Sequence, residues 1–276
     1  MKVKFHYGYP LSIDIDCNKP VEVYIDQVPS VSVSTGSIRI VIIEEPLKGG
    51  YYNLMRLRRD LYSHLLTFHD EILEENPKAR VFHCTNTWVK GFVPDRKDFN
   101  ISFIVGGKNS PTMEGYELRH SVWRNKDLIT TPKVFYLSGN APYKHHFVPW
   151  PEADYTNSLI LGASKEPLFN SMFHIAIENC SIKNYFTEKI VDCFQTRTVP
   201  IYYGCKNISE FFNEYGIIQC SDLEDIISAC NQVTPEVYER MFPLLNDNYE
   251  RSMAWVDHDE QIKNAVTLIL REENYI

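Results

Sequence analysis

Nowhere does the chain hold the run of about eighteen apolar residues that a helix needs to cross a bilayer. Its first ten residues, MKVKFHYGYP, go straight into a strand-like alternation and lack the apolar stretch and small-residue cleavage site of a signal peptide. The expectation is a soluble, cytoplasmic protein with no transmembrane segment. Paired cysteines are missing too. The seven cysteines, at 17, 84, 180, 193, 205, 220 and 230, form no CxxC pair. An odd, scattered set suits a reducing compartment and gives no zinc-finger spacing, so each is expected in the core or a loop. Basic charge is short: 28 Lys and Arg stand against 36 Asp and Glu, for a net charge of -8. That balance excludes a nucleic-acid backbone as the main partner, because affinity for phosphate polymers comes from clustered cations. Internal repeats and low-complexity tracts are absent. The Asn-x-Ser triplets at Asn100, Asn179 and Asn207 are read as chance matches, since nothing routes the chain to a glycosylating compartment.

What is present is an ordinary globular composition, 44% hydrophobic and 23% charged over 276 residues, near the size at which one core divides into two. Strand-like runs cover Lys2 to Tyr7, Val21 to Tyr24, Ile38 to Ile43 and Ala79 to His83, with a helical pattern from Leu54 to Leu65 and a polar connection from Glu71 to Pro77. A charged, turn-forming stretch, Val93 to Asp98, is the expected linker, giving domains at 1–98 and 99–276. Beyond it, Phe99 to Val105 reads as a strand, Gly106-Gly107-Lys108 as a loop, Glu117 to Lys126 as a helix and Val134 to Ser138 as a strand. The glycine loop lets backbone amides approach a phosphate, although its spacing is neither a Walker A loop nor a dinucleotide fingerprint. Adjacent His145 and His146 have no motif supplying further metal ligands. Short helices are expected at Ile208 to Tyr215 and Ser221 to Cys230, and longer ones at Glu236 to Leu245 and Tyr249 to Leu270, with Thr234-Pro235 as a helix start.

The densest chemistry lies between Phe173 and Gly204. Phe173 to Ile177 has the length and residue types of a buried parallel strand, closed by Glu178-Asn179. A loop leads to a helix from Tyr185 to Thr196, with Phe186, Ile190 and Phe194 on one face, and Thr198 to Tyr203 is a second strand. Such a βαβ unit binds ligands at the carboxyl ends of its strands. Thr187, Glu188 and Lys189 fall in the first helical turn, where unpaired N–H groups and the dipole favour an anion. Lys189 adds a full positive charge, and Glu188 can accept two hydrogen bonds from the vicinal hydroxyls of a ribose. A nucleotide satisfies both residues. A glutamate that compensates the dipole beside a solvated lysine is the plainer alternative. Lys165 is a further cation able to approach a phosphate.

Glu178-Asn179, then Tyr185-Phe186-Thr187-Glu188-Lys189, then Val199-Pro200-Ile201-Tyr202-Tyr203-Gly204 resemble the signature of the α1,3/4-fucosyltransferases, glycosyltransferase family ten. That pattern runs F-x-x-x-x-E-N, a loop, Y-x-T-E-K, a helix and V-P-[IV]-x-x-G. The resemblance implies an α/β protein of GT-B type: two Rossmann-like domains facing each other across a cleft, with the last helix returning to the first domain. Residues 1–98 would take the acceptor and 99–276 the nucleotide sugar. It implies inverting transfer of fucose from GDP-fucose to a glycan hydroxyl, as in glycan biosynthesis and protein glycosylation, with no cofactor and no metal. By the same likeness Glu188 and Lys189 hold ribose and phosphate, and Glu178, Asn179, Tyr185 and Thr187 belong to the donor pocket. Arg119 stands near where the family has an Arg that holds the diphosphate, although the residues between differ, and Lys108 is a weaker candidate there. Eukaryotic relatives usually carry a membrane anchor, so a soluble bacterial or viral member is implied.

An inverting transfer needs a base for the acceptor proton. The resemblance points to a Glu at the end of a first-domain strand, and Glu44 and Glu45 lie there, with Glu45 favoured. Successive strand residues face opposite ways, so one of the two points inward; a solvated turn carrying both is the alternative. Asp14-Ile15-Asp16 and Asp257-His258-Asp259 have the Asp-x-Asp form of some metal-dependent transferases but lie far in sequence from the Glu188 corner. Two other readings stay open: a GT-B transferase using another GDP-sugar, and a non-catalytic nucleotide-sugar-binding subunit.

Overall fold

A computed structural model describes residues 1–29, 37–46, 50–139 and 158–276. In chain order the strands are β1 (Lys4–His6), β2 (Val21–Ile25), β3 (Ile38–Ile42), β4 (His64–Thr67), β5 (Ala79–Val81), β6 (Asp98–Val105), β7 (Lys133–Ser138), β8 (Leu159–Leu161), β9 (Ser171–Ile177), β10 (Val199–Tyr203) and β11 (Ile218–Gln219). The helices are α1 (Gly50–Leu57), α2 (Asp70–Glu75), α3 (Glu114–Arg124), α4 (Glu188–Gln195), α5 (Leu223–Gln232), α6 (Pro235–Ser252) and α7 (His258–Glu272), with short 3-10 turns between some of them. None of the described helices is long and apolar enough to cross a membrane. His145 and His146 lie outside the described residues.

The first compact unit comprises residues 1–85, 183–185 and 257–276. Its five strands are all parallel and stand in sequence order, β1 to β5. Side chains alternate between the faces: Val23, Ile25, Ile40, Ile42 and Leu66 share one, and Tyr24, Val41 and Leu65 the other. Each crossover steps the same way along the sheet, and right-handed crossovers then place their helices on a single face. Helices α1 and α2 accordingly bury Tyr52, Met55 and Ile72 against Tyr24, Val41 and Leu65. The opposite face needs chain from elsewhere. Helix α7 supplies it, with Ile262, Val266, Ile269 and Leu270 on one stripe against Val23, Ile40 and Ile42. This is the return of the last helix that the resemblance implied. It removes the last twenty residues from the span 99–276, and the chain leaves this unit at Thr85, ahead of the Val93 to Asp98 stretch.

Two local expectations fail here. The helix expected from Leu54 to Leu65 ends at Leu57, and Leu65 and Leu66 belong to β4, because buried leucines of a parallel strand imitate helical spacing. The polar stretch Glu71 to Pro77 contains helix α2, whose one buried residue, Ile72, is too little for a pattern to show.

The second unit comprises residues 86–182 and 186–256. Its six parallel strands run β8-β7-β6-β9-β10-β11. The chain starts at β6, winds outward through β7 and β8, then returns to set β9 on the other side of β6. The winding reverses between β6 and β9, and in doubly wound sheets the crevice at that reversal, beyond the carboxyl ends of the strands, holds the ligand. Phe103, Phe173, Ile175, Phe186, Phe194 and Ile201 fill the core around it. Towards the end, Thr234 caps α6 by accepting from the Val237 N–H, with Pro235 at the first position as its sequence predicts. The second long helix expected from Tyr249 to Leu270 is broken at Met253–Asp257, where Asp257 caps α7 by accepting from the Glu260 N–H.

Candidate functional site

The reversal between β6 and β9 is where the charged residues of the second unit converge. The turn that closes β9 is clamped from three sides. Glu178 is fully buried; its carboxylate accepts from the Thr187 N–H at 2.8 Å and from the Thr187 hydroxyl at 2.7 Å, and its N–H donates to the Tyr203 carbonyl at 2.8 Å. Thr187 in turn caps α4, accepting from the Lys189 N–H. Helix α3 begins directly on the same turn: the Gly115 N–H donates to the Asn179 carbonyl at 3.0 Å, and a Cβ at Gly115 would lie 1.8 Å from the Glu178 carbonyl oxygen. A Cβ at Gly204 would lie 2.5 Å from Glu178 Cγ. The two glycines let backbone and carboxylate meet this closely.

On that support sits a cavity of about 470 Å³. Among the described residues its lining carries four cations, Lys108, Arg119, Lys165 and Lys189, against the one carboxylate of Glu188. Glu188 Oε1 lies 3.3 Å from both Lys165 Nζ and Lys189 Nζ. Burial would raise its pKa, but Lys189 and Lys165 hold it down at about 2, so at neutral pH it is an ionised acceptor. Lys189 also reaches the Thr187 hydroxyl at 2.9 Å and Glu178 Oε2 at 3.6 Å. Its own pKa is opposed by burial yet raised by Glu188 and Glu178, which keeps the ammonium charged. Arg119 donates through Nε and Nη2 to the Ile177 carbonyl at 2.9 and 2.6 Å and through Nη2 to Asn179 Oδ1 at 2.8 Å, with its guanidinium 4.9 Å from the Tyr116 ring centroid. Lys165 lies 4.9 Å from the centroid of the Trp88 ring. Gly106, Gly107 and Ser138 complete one wall, and buried His174 lies behind it with Nδ1 2.8 Å from the Ser102 hydroxyl. Burial, then Lys165 and Lys97, push His174 down to about 3, so its imidazole is neutral.

The structure therefore brings Glu188, Lys189, Arg119, Asn179 and Lys108 to one cavity. Glu178 and Thr187 stand behind its wall, holding the α4 N-terminus. Tyr185 lies elsewhere: it is buried in the first unit, 5.3 Å between ring centroids from Phe68 and 6.1 Å from His83. Sequence reasoning did not select Trp88, Tyr116, Ser138 or His174, because single residues of common type carry no spacing signal.

In the first unit the two candidate bases differ sharply. Glu44 is mostly enclosed: Oε1 lies 2.9 Å from His258 Nε2 and accepts from the Cys84 thiol at 3.1 Å, and Oε2 accepts from the Tyr7 hydroxyl at 3.2 Å. Its N–H donates to Asp26 at 3.0 Å, and burial, then Glu44 and Glu45, push Asp26 up to about 7. Glu45 is exposed, with its carbonyl 3.3 Å from His69 Nε2. Of the two Asp-x-Asp triplets, Asp14 and Asp16 pair with Lys2, while Asp259 accepts from the Ser12 N–H.

Residues 160–261 match the family described as Glycosyltransferase family 10 (fucosyltransferase) C-term. That segment contains Glu178, Asn179, Thr187, Glu188 and Lys189, and Gly204 after β10. Over these residues the chain is similar to glycosyltransferase family 10. Curated relatives include an α-(1,3)-fucosyltransferase of Helicobacter pylori, 30% identical over 61 residues, and an α-(1,4)-fucosyltransferase of Arabidopsis thaliana, 37% identical over 49 residues. These matches cover 22% and 18% of this chain and only 13% and 12% of those proteins. Among solved structures, a crystal structure of an α1,3-fucosyltransferase aligns with a TM-score of 0.51 at 13% identity, covering 84% of this chain and 76% of that one. The architecture of two parallel sheets is that of the GT-B glycosyltransferases.

Proposed function

We propose that this chain is an inverting transferase that moves fucose from GDP-fucose to a hydroxyl of a glycan acceptor. The observation that carries the reading is the cavity at the β6/β9 reversal, where Glu188 and Lys189 open α4 beside Arg119 and Lys108. A ribose–diphosphate matches that set. The ionised Glu188 carboxylate accepts from the two ribose hydroxyls, and Lys189, Arg119 and the α4 N-terminus face the diphosphate. Asn179 positions the Arg119 guanidinium from one side. A solved α1,3-fucosyltransferase complex with GDP-fucose has the same fold, with a TM-score of 0.50.

In such a transfer the sugar carbon exchanges its bond to the diphosphate oxygen for one to the acceptor oxygen, and the leaving diphosphate gathers negative charge. Cations already aimed at that oxygen stabilise the transition state without having to reorganise. No metal is needed for this step. Glu45, exposed at the end of β3, takes the acceptor proton, and Glu44 is the second candidate.

The test is GDP release from GDP-fucose across lactose, N-acetyllactosamine and other simple glycans, beside a thermal-shift panel of GDP, UDP and CMP. GDP at a hundred times its dissociation constant should stabilise the chain by about 2.7 kcal/mol. Glu45→Gln should cut turnover by about 10²–10⁴-fold with GDP affinity kept. Stabilisation by UDP and not by GDP would overturn the donor assignment. GDP binding with no transfer to any acceptor would mark a binding subunit, and transfer from another GDP-sugar in preference would change the donor sugar.

A further inference from the structure

We propose that Glu44, Cys84 and His258 form a binding site for a divalent transition metal of the zinc class, which ties α7 to the sheet of the first unit. The carboxylate oxygen, thiol sulfur and imidazole nitrogen all lie within 4.8 Å of one another. They come from the end of β3, the segment after β5 and the first residue of α7, which the fold alone brings together. Carboxylate, thiolate and imidazole are the donor types that four-coordinate zinc takes, here leaving one position for water.

The hydrogen bonds around the three donors are those of a metal site. His258 turns Nε2 toward Glu44, while Nδ1 lies 3.2 Å from the Asp259 carboxylate. A histidine that ligates a metal through one nitrogen ordinarily gives the other N–H to a carboxylate, which fixes its tautomer and orientation. The Glu44 carboxylate is held in turn, since Oε2 accepts from Tyr7 and the Glu44 N–H donates to Asp26.

Size and charge agree with an ion. Glu44 Oε1 lies 2.9 Å from His258 Nε2 and 3.1 Å from Cys84 Sγ. Donor atoms around tetrahedral zinc stand about 3.3–3.6 Å apart, so these need to spread by about half an ångström, within reach of side-chain rotation. Binding expels the thiol proton, and the thiolate and carboxylate then cancel the two charges of the ion in a place largely closed to water. The cation also meets the positive end of α7, which Asp257, Asp259 and Glu260 in and before its first turn offset. All three donors belong to the first unit, whereas the residues that line the nucleotide cavity belong to the second.

The experiment uses the full chain, freed of any histidine tag and treated with a chelator, titrated with Co²⁺ and then Zn²⁺. One equivalent of Co²⁺ should give a thiolate-to-cobalt charge-transfer band and tetrahedral visible bands, and Zn²⁺ should displace it and raise the melting temperature. Cys84→Ser should abolish the charge-transfer band, and His258→Asn should weaken binding at least tenfold. Absorption fine structure of the zinc-loaded wild type, which needs no variant to fold, should contain one sulfur at about 2.3 Å and lighter donors at about 2.0–2.2 Å. A shell of nitrogen and oxygen alone, or stoichiometric binding that survives Cys84→Ser, overturns the proposal and leaves the three residues a hydrogen-bonded cluster.

Discussion

At the residue scale, Lys189 and His174 show how one cavity uses burial in opposite ways. The Lys189 ammonium stays charged despite burial because two carboxylates face it, whereas burial and the cations Lys165 and Lys97 act together on His174 and keep it neutral. If the proposed transfer is right, Lys189→Ala removes a cation that faces the leaving diphosphate and should lower kcat/KM by about 10²–10³-fold, the usual cost of losing one such donor. Steady-state kinetics with GDP-fucose would show it, and a loss below tenfold would place Lys189 outside the reaction. For His174 the folded pKa, about 3, lies below the ordinary 6.5. Between those values the unfolded chain binds a proton that the native one does not, so stability falls as pH drops from about 6.5 toward 3. The slope approaches about 1.4 kcal/mol per pH unit. Asp26 and Asp192, both pushed up to about 7 by burial, act with the opposite sign over this range in wild type and variant alike. Urea melts from pH 7 down to 5 should therefore show the His174 contribution as a difference: stability falls less, or rises more, in His174→Gln than in the wild type.

At the scale of elements, the α4 N-terminus depends on the turn after β9, and that turn depends on a glycine of α3. Gly115→Ala would set a methyl group against the Glu178 carbonyl, a backbone atom that can move only by shifting the turn. The expected outcome is a loss of about 1–3 kcal/mol or more in chemical denaturation, together with weaker GDP binding, because Arg119 on α3 and Asn179 in the turn move apart. Sequence alone located β9, α4 and β10 closely, since a short apolar run, a helical stripe and a second run leave little choice of element. It lost α2 and the end of α1. A six-residue helix with one buried side chain has no periodicity to detect, and Leu65 and Leu66 satisfy helical spacing as well as a buried strand.

At the scale of the whole molecule, the last helix is a structural part of the first unit. Burial of Ile262, Val266, Ile269 and Leu270 contributes about 6–12 kcal/mol in all at about 1.5–3 kcal/mol each, comparable with the total stability of a domain. A chain ending at Val256 should therefore leave residues 1–85 unfolded or aggregating. Limited proteolysis would detect this as rapid cleavage between β1 and β5, and a protected first unit in the truncated chain would contradict it.

The sequence by itself determined the βαβ unit from Phe173 to Gly204, the family likeness that its residues carry, and the anion-seeking character of the α4 N-terminus, because all of these are set by neighbours within a few residues of one another. Tertiary structure decided what depends on distant segments meeting. It put Glu178 and Thr187 behind the wall and Glu188 and Lys189 in front of it, sent Tyr185 into the other unit, and joined residues 44, 84 and 258 in one cluster. Strand alternation and helix periodicity say which face of an element is buried. Which other element covers that face is settled only when the whole chain packs.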